Sequence, residues 1–384
     1  AFARENKVLG LSLDESRNTE HLSVLPTRQP ADPLILAPQN PGVAVLIQSS
    51  GTTGKPKRIP MYAAKLSAAY GNIPVGMTAD GGAKIKTKPA LITQPLVHIG
   101  GLFWVVHSLL DARPISLLDK FNVAQWAQAV EQYQIRVCSL VPAMINMVLE
   151  SDLPAEKISS LICVRSGTAP LSVKAQQTFE QRFGIPILPT YGATEFSGAV
   201  CGWTLEAKKA FGDVKAGSVG RAYDGVGLRI ADPESGEILP MGETGILQVR
   251  SQQMANEHDW VSTTDLASID ADGFVWLSGR ADAAINRGGF KIIPNEVAAI
   301  LEAHAQVKEA TVVAMDDARL GQVPVAAVEL CEGASGVSEA SLKTWAKENM
   351  TSYFVPVRFA IVDALPRTSS MKVSLMDVRR LFDS

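Results

Sequence analysis

Apolar and polar positions follow two different periods along the middle of the chain. Short β-rich apolar runs at 89–93, 137–140, 161–165 and 185–190 predict strands. Between them, apolar residues recur at helical spacing over 123–133, 143–150 and 173–183. Strand and helix in alternation predict a parallel sheet with covering helices, and ligands of such sheets sit beyond the carboxyl ends of the strands. An earlier run at 43–47 predicts one more strand. From 218 to 278 the pattern shortens: Gly220-Arg221, Asp224-Gly225, Asp232-Pro233-Glu234-Ser235-Gly236 and Gly242-Glu243-Thr244-Gly245 punctuate brief strands, as in an all-β unit. Beyond Arg280 come a Gly-rich hairpin, a helix over 295–303 opened by Pro294, strands at 310–315 and 325–330, a helix at 339–349 and a strand at 358–362. The expected class is α/β, with a large unit at 1–279 containing the β-rich part and an α+β unit at 284–384, joined at 280–283.

Composition narrows the class. In 384 residues, 46% are apolar and the net charge is −3 without a long run of either sign, which describes a globular protein and gives no nucleic-acid surface. The apolar run 102–106 is broken by His107 and is too short to span a bilayer. Ala1-Phe2-Ala3-Arg4-Glu5 carries no secretory pattern. Cys138, Cys163, Cys201 and Cys331 form no Cys-x-x-Cys pair, so reduced thiols and a cytoplasmic setting are expected.

The densest chemical signal follows the strand at 43–47: Gln48-Ser49-Ser50-Gly51-Thr52-Thr53-Gly54-Lys55-Pro56-Lys57. Small hydroxyl residues and glycines let the backbone close around an anion, and lysines supply charge at the rim. Ser49, Ser50, Gly51, Thr52, Thr53, Gly54 and Lys57 are therefore candidate phosphate ligands. The stretch is not a Walker A loop, because Pro56 stands where that loop needs Ser or Thr.

Ser-Ser-Gly-Thr-Thr-Gly-x-Pro-Lys resembles the phosphate loop of the adenylate-forming superfamily, which holds acyl-CoA synthetases, peptide-synthetase adenylation domains and luciferases. Further motifs follow in that family's order: Pro95-Leu96-Val97-His98-Ile99-Gly100-Gly101, Ser166-Gly167-Thr168-Ala169-Pro170, Tyr191-Gly192-Ala193-Thr194-Glu195 and Thr264-Asp265. Then come Gly279-Arg280-Ala281-Asp282, Arg287-Gly288-Gly289-Phe290-Lys291 and Pro366-Arg367-Thr368-Ser369-Ser370-Met371-Lys372. The resemblance covers residues 43 to 384. Only 48 residues precede the phosphate-loop serines, so the amino end reads as short for this family.

The resemblance implies a set of roles. Lys372 bonds the carboxylate and the α-phosphate during adenylation. Thr194 contacts the α-phosphate, and Glu195 holds Mg²⁺, a cation that prefers one or two carboxylates plus substrate phosphates. Asp265 and Arg280 bind the ribose, while Gly167, Thr168, Ala169, Thr190, Tyr191 and Gly192 enclose the adenine. His98 walls the acyl pocket, and Gly288 and Gly289 pass the pantetheine arm of CoA. Asp282 marks the hinge of a mobile small domain. Two departures stand out: Met371 replaces the glycine that usually precedes the lysine, and no Asp stands near 96–99 to hold an amino-acid substrate's ammonium. The expected activity is AMP-forming ligation of a hydrophobic or aromatic acid to CoA, with ATP and Mg²⁺. A carrier-protein thiol as acceptor, or a nucleotide-binding relative with impaired catalysis, is the alternative. Small-molecule partners and no membrane span are expected, and a homodimer is compatible.

Overall fold

The computed structural model describes residues 10–12, 23–25, 42–48, 58–70, 86–96, 98–254, 259–368 and 371–383. The chain packs as two compact units, residues 1–43 and 44–384. In the first, β1 (Gly10–Ser12) and β2 (Ser23–Leu25) pair antiparallel.

β3 (Val43–Gln48), which has all but its first residue in the second unit, lies beside β4 (Arg58–Tyr62), and α1 (Ala63–Tyr70) follows. The phosphate-loop candidates, Ser49 to Lys57, lie outside the described residues. β5 (Ala90–Ile92) is connected through α2 (Ile99–Leu110) to its parallel partner β6 (Ile115–Leu117).

A five-stranded sheet follows, in the order β11-β10-β9-β8-β7. Its strands and the helices between them are α3 (Val123–Tyr133), β7 (Val137–Ser139), α4 (Pro142–Glu150), β8 (Cys163–Ser166), α5 (Val173–Phe183), β9 (Ile187–Ala193), β10 (Gly198–Gly202), α6 (Leu205–Phe211) and β11 (Arg221–Ala222). The helices begin where the sequence can satisfy free N–H groups. The Asn122 side chain accepts from the Gln125 N–H, Ser172 accepts from Ala175, and Pro142, which has no N–H, opens α4. Trp126, Leu140, Ile145, Val148, Val164, Phe179 and Ile187 form the core beneath them, all essentially without solvent contact.

Within this sheet only β7, β8 and β9 are parallel. β10 returns antiparallel on β9, with Ala193 opposite Gly198 and Gly192 opposite Ala199, and this pairing extends β9 through Tyr191-Gly192-Ala193, three residues beyond the strand expected at 185–190. A Cβ on Gly192 would come within 2.3 Å of the Gly198 carbonyl oxygen, so the close approach of the two strands requires glycine there.

β12 (Val226–Ala231), β13 (Gly245–Ser251), β14 (Val261–Ile269) and β15 (Val275–Arg280) make a four-stranded antiparallel sheet. A helical turn at Ala281–Ala283 leads to β16 (Ile285–Arg287) and β17 (Phe290–Ile292). α7 (Pro294–Glu302), β18 (Val307–Asp317), β19 (Gly321–Leu330), α8 (Glu339–Asn349), β20 (Phe359–Val362) and α9 (Leu375–Arg380) complete the chain. Here β19 pairs with β16, β18 and β20, and one core joins Ile285, Ile292, Leu301, Val328 and Leu342. A second core, against α9, contains Val313, Val325, Leu365, Val378 and Phe382.

Candidate active site

The site assembles where β8, β9 and β15 end. Gly167 lies so close to Thr190 that a Cβ would approach the Thr190 hydroxyl to 2.8 Å, and the Thr190 hydroxyl itself donates to the Ser166 carbonyl at 3.3 Å. The 166–170 loop therefore lies against the end of β9. Thr168 takes a left-handed backbone, φ +73°, and Ala169 is half-buried beside it. Glycine at 167 is needed for this packing.

β9 then delivers Tyr191. Its hydroxyl donates to Asp265 Oδ2 at 2.5 Å, and burial together with that carboxylate raises the phenol's pKa far above the ordinary tyrosine range. Tyr191 is thus a neutral donor that holds one carboxylate oxygen. The Asp265 N–H is fixed in turn by Thr263 Oγ1 at 3.0 Å, and Asp265 sits directly across the β14–β15 pair from Arg280.

Arg280 binds not Asp265 but Asp282, through Nε at 2.8 Å and Nη2 at 2.6 Å. This two-pronged pair raises the arginine's pKa further and holds the Asp282 carboxyl below its usual range. Sequence reading placed Arg280 at the ribose and Asp282 at the hinge but gave no sign of their bond, which depends on the helical turn at Ala281–Ala283 folding Asp282 back.

Thr194 and Glu195 occupy a single 3₁₀ turn, Thr194–Phe196, whose buried Phe196 anchors it while Glu195 faces solvent. Among the described residues no three His, Cys, Asp or Glu groups cluster as an all-protein metal cage. One exposed carboxylate in a small-residue turn fits a Mg²⁺ whose remaining ligands are phosphate oxygens and water.

Lys372 reaches this place from the far end of the chain. It is half-buried, and burial lowers its pKa; Arg280 lowers it further, while Glu195 and Asp265 raise it. Four motif residues, Glu195, Asp265, Arg280 and Lys372, therefore share one electrostatic environment. His98 joins from the N-terminus of α2, where its pKa is lowered by burial and then by Lys372. Its Nε2 and the Ser166 hydroxyl are buried with no hydrogen-bond partner among the described residues. A neutral imidazole with an unpaired nitrogen suits a pocket wall that a ligand completes.

Gly288 and Gly289 lie outside this cluster, at the turn between β16 and β17. Their φ values, +58° and +92°, are those of a two-residue hairpin turn that suits glycine. The Gly288 N–H donates to the Leu320 carbonyl at 2.8 Å. A cavity of about 280 Å³ beside them is lined by Arg287, Gly288, Phe290, Leu320, Ser352 and Tyr353. Phe290 and Tyr353 stack there at 4.3 Å. Asp282, between the two regions, closes the Ala281–Ala283 turn onto Arg280.

Comparison with known proteins gives the family. Residues 4–257 match the model of the AMP-binding enzyme family, and residues 296–372 match that family's C-terminal domain. The chain belongs to the AMP-binding enzyme family. A 2-succinylbenzoate–CoA ligase of Bacillus pumilus is 30% identical over 343 residues, covering 86% of this chain and 67% of the relative. A 4-coumarate–CoA ligase of Nicotiana tabacum is 28% identical over 400 residues, covering 98% and 72%. Among solved structures, ATP-bound MatB from Rhodopseudomonas palustris superposes with a TM-score of 0.77 at 25% identity, covering 89% of this chain and 68% of that one. The o-succinylbenzoate CoA synthetase of Bacillus subtilis, in complex with ATP and magnesium ion, gives 0.70 at 26% identity, covering 87% and 69%. No helix among the described residues is long and apolar enough to cross a membrane.

Proposed function

We infer that this chain is an AMP-forming acid:CoA ligase, which joins a carboxylic acid to the α-phosphorus of ATP, expels pyrophosphate, and then passes the acyl group to CoA. The observation that carries the reading is that the charges of Arg280, Glu195 and Asp265 all act on the half-buried Lys372 ammonium. Forming an acyl-adenylate brings a carboxylate to a polyanion, so its catalysis is mainly positioning and charge stabilisation. In this reading Lys372 neutralises charge on the carboxylate and α-phosphate, and Thr194 donates to the same phosphate. Glu195 holds Mg²⁺, which would neutralise the phosphates when bound. Asp265, steadied by Tyr191, accepts from the ribose hydroxyls.

The acid we propose is hydrophobic or aromatic. Phe103, Trp104 and His107 form an aromatic cluster on α2, with ring centroids 5.3 to 6.1 Å apart, and a Cβ added to Gly198 would lie 3.6 Å from the Phe103 ring. Residues 284–384 act in this proposal as a small domain that turns about 280–283, presenting Lys372 first and the Gly288–Gly289 face second. Free CoA is the proposed acceptor.

Pyrophosphate release measured against aryl, fatty and alicyclic acids, with and without CoA, tests the reading. Acid-dependent pyrophosphate and AMP are expected, followed by acyl-CoA when CoA is added. Lys372→Ala should slow adenylation at least ~10²-fold, as loss of one charge-stabilising group at a reacting centre does. ADP as product, or a Lys372→Ala enzyme as fast as the parent, would overturn it. Transfer to a carrier-protein thiol but not to CoA would reassign the acceptor.

A further inference from the structure

Met371 occupies the position next to Lys372 with φ +65°, in the left-handed region that a residue with a Cβ disfavours and glycine adopts freely. A side chain held in such a conformation implies an offsetting contact. That contact is present: Met371 packs against the core cluster of the five-stranded sheet, the one containing Trp126, Val164, Phe179 and Ile187. Two residues later, Val373 packs in the other direction, against the core of Val313, Val325 and Val378. Lys372 thus sits between two side chains anchored in different cores.

The backbone around it is tied down as well. The Met371 N–H donates to the Thr368 carbonyl at 2.9 Å, the Thr368 N–H donates to the Lys372 carbonyl at 2.8 Å, and Arg367 Nη1 donates to the Met371 carbonyl at 3.1 Å. Arg367 is itself ion-paired to Glu309 of β18. Polar contacts join the same two parts of the chain. Lys174 of α5 donates to the Ala305 and Val307 carbonyls at 3.3 and 3.4 Å, and Lys308 bridges Glu150 of α4 to Glu329 of β19.

We propose that Met371 is a positioning residue for adenylation: its side chain docks the Lys372 loop onto the core beside the nucleotide site, and this contact offsets the unfavourable backbone that holds the lysine there. The proposal rests on the functional reading above and deepens it. Glycine at 371 would relax the loop but leave Lys372 unanchored; methionine accepts strain in return for holding the lysine in the adenylating position. The arrangement biases the chain toward its first half-reaction.

Separate assays of the two half-reactions on Met371→Gly, Met371→Leu and Met371→Ala test this. Met371→Gly should melt no lower than the parent yet adenylate about tenfold more slowly, the shift expected from losing the apolar contact of a half-buried methionine. The KM for ATP should be unchanged, and transfer from pre-made acyl-adenylate to CoA should be as fast or faster. Met371→Leu should restore adenylation; Met371→Ala, strained and unanchored, should fall below the glycine variant. Parent-rate adenylation by Met371→Gly overturns the proposal, as does equal slowing of both half-reactions. If Met371→Gly does not fold, equality of the alanine and leucine variants overturns it instead. A parent protein that releases no pyrophosphate with any acid would refute the functional reading, a result distinct from all of these.

Discussion

The bond between Tyr191 and Asp265 gives the sharpest quantitative test of the nucleotide side. Tyr191→Phe removes one hydroxyl and leaves the ring packed near Phe196, with centroids 6.3 Å apart. What is lost is a 2.5 Å hydrogen bond from a neutral phenol to a carboxylate in a partly buried setting. Such a bond to a charged group contributes about 1.5–3 kcal/mol net. Only the portion that aligns the carboxylate for the ribose should appear in binding, so ATP affinity should fall about 3- to 10-fold, on the scale of 1.4 kcal/mol per factor of ten. Asp265→Ala should weaken ATP more, by the loss of the ribose contacts as well. Because the two side chains touch, their effects should not add: in the Asp265→Ala background, Tyr191→Phe should change ATP affinity by less than about twofold. Isothermal titration of the four proteins with ATP closes the cycle. Additive losses, or a Tyr191→Phe enzyme that binds ATP like the parent, would refute the idea that the phenol orients the carboxylate.

Two further tests address other parts of the chain. Glu302, on α7, has its carboxyl raised from 4.5 to about 7 by burial, with Glu309 adding to the effect and the Ala310 N–H and Lys174 opposing it. Between those values the folded state keeps a proton that the unfolded state has released, so this group's stabilisation is complete below 4.5 and is lost as pH rises to about 7. Glu302→Gln retains an oxygen for the Ala310 N–H, and its stability relative to the parent should grow across that window. The gain should level off above about pH 7 at no more than about 3 kcal/mol, and at less where water reaches the carboxyl; a difference between the two melts that does not change with pH would contradict this. Gly288→Asn tests the proposed CoA path, because asparagine tolerates a left-handed backbone and should keep the hairpin while placing a side chain in the way. It should release pyrophosphate normally and lose acyl-CoA formation, and unimpeded acyl-CoA formation would put the path elsewhere.

The helices at 123–133, 173–183 and 339–349 were legible from the sequence because apolar residues recur at helical spacing over those stretches, and the structure caps them at the same boundaries with Asn122, Ser172 and Ser338. β10 was not, since Gly198-Ala199-Val200-Cys201-Gly202 has too little β-branched content to stand out, and its pairing with β9 is a long-range event. The strand expected at 161–165 begins at Cys163, because Leu161 closes a turn by donating its N–H to Ile158. In the site, residue types and motif order named Glu195, Asp265, Arg280 and Lys372, but chemistry alone does not say how they pair. That Arg280 takes Asp282 and Asp265 takes Tyr191 follows from strand register and a helical turn, which a linear pattern does not encode. Met371 was visible as an unexpected residue; its positive φ and its seat in a distant core were not.

The arginine fork also bears on the timing of movement. Arg280 has five N–H donors and commits two of them to Asp282, leaving three that can face a sugar. A bound nucleotide can therefore hold Arg280 without displacing Asp282, so that one rigid guanidinium ties the ligand to the short backbone segment through which residues 284–384 are proposed to turn. That segment should be stiffest with nucleotide in place and loosest once AMP has left. The resetting of the enzyme for a new cycle would then be governed by product departure, with the arginine acting as its clutch.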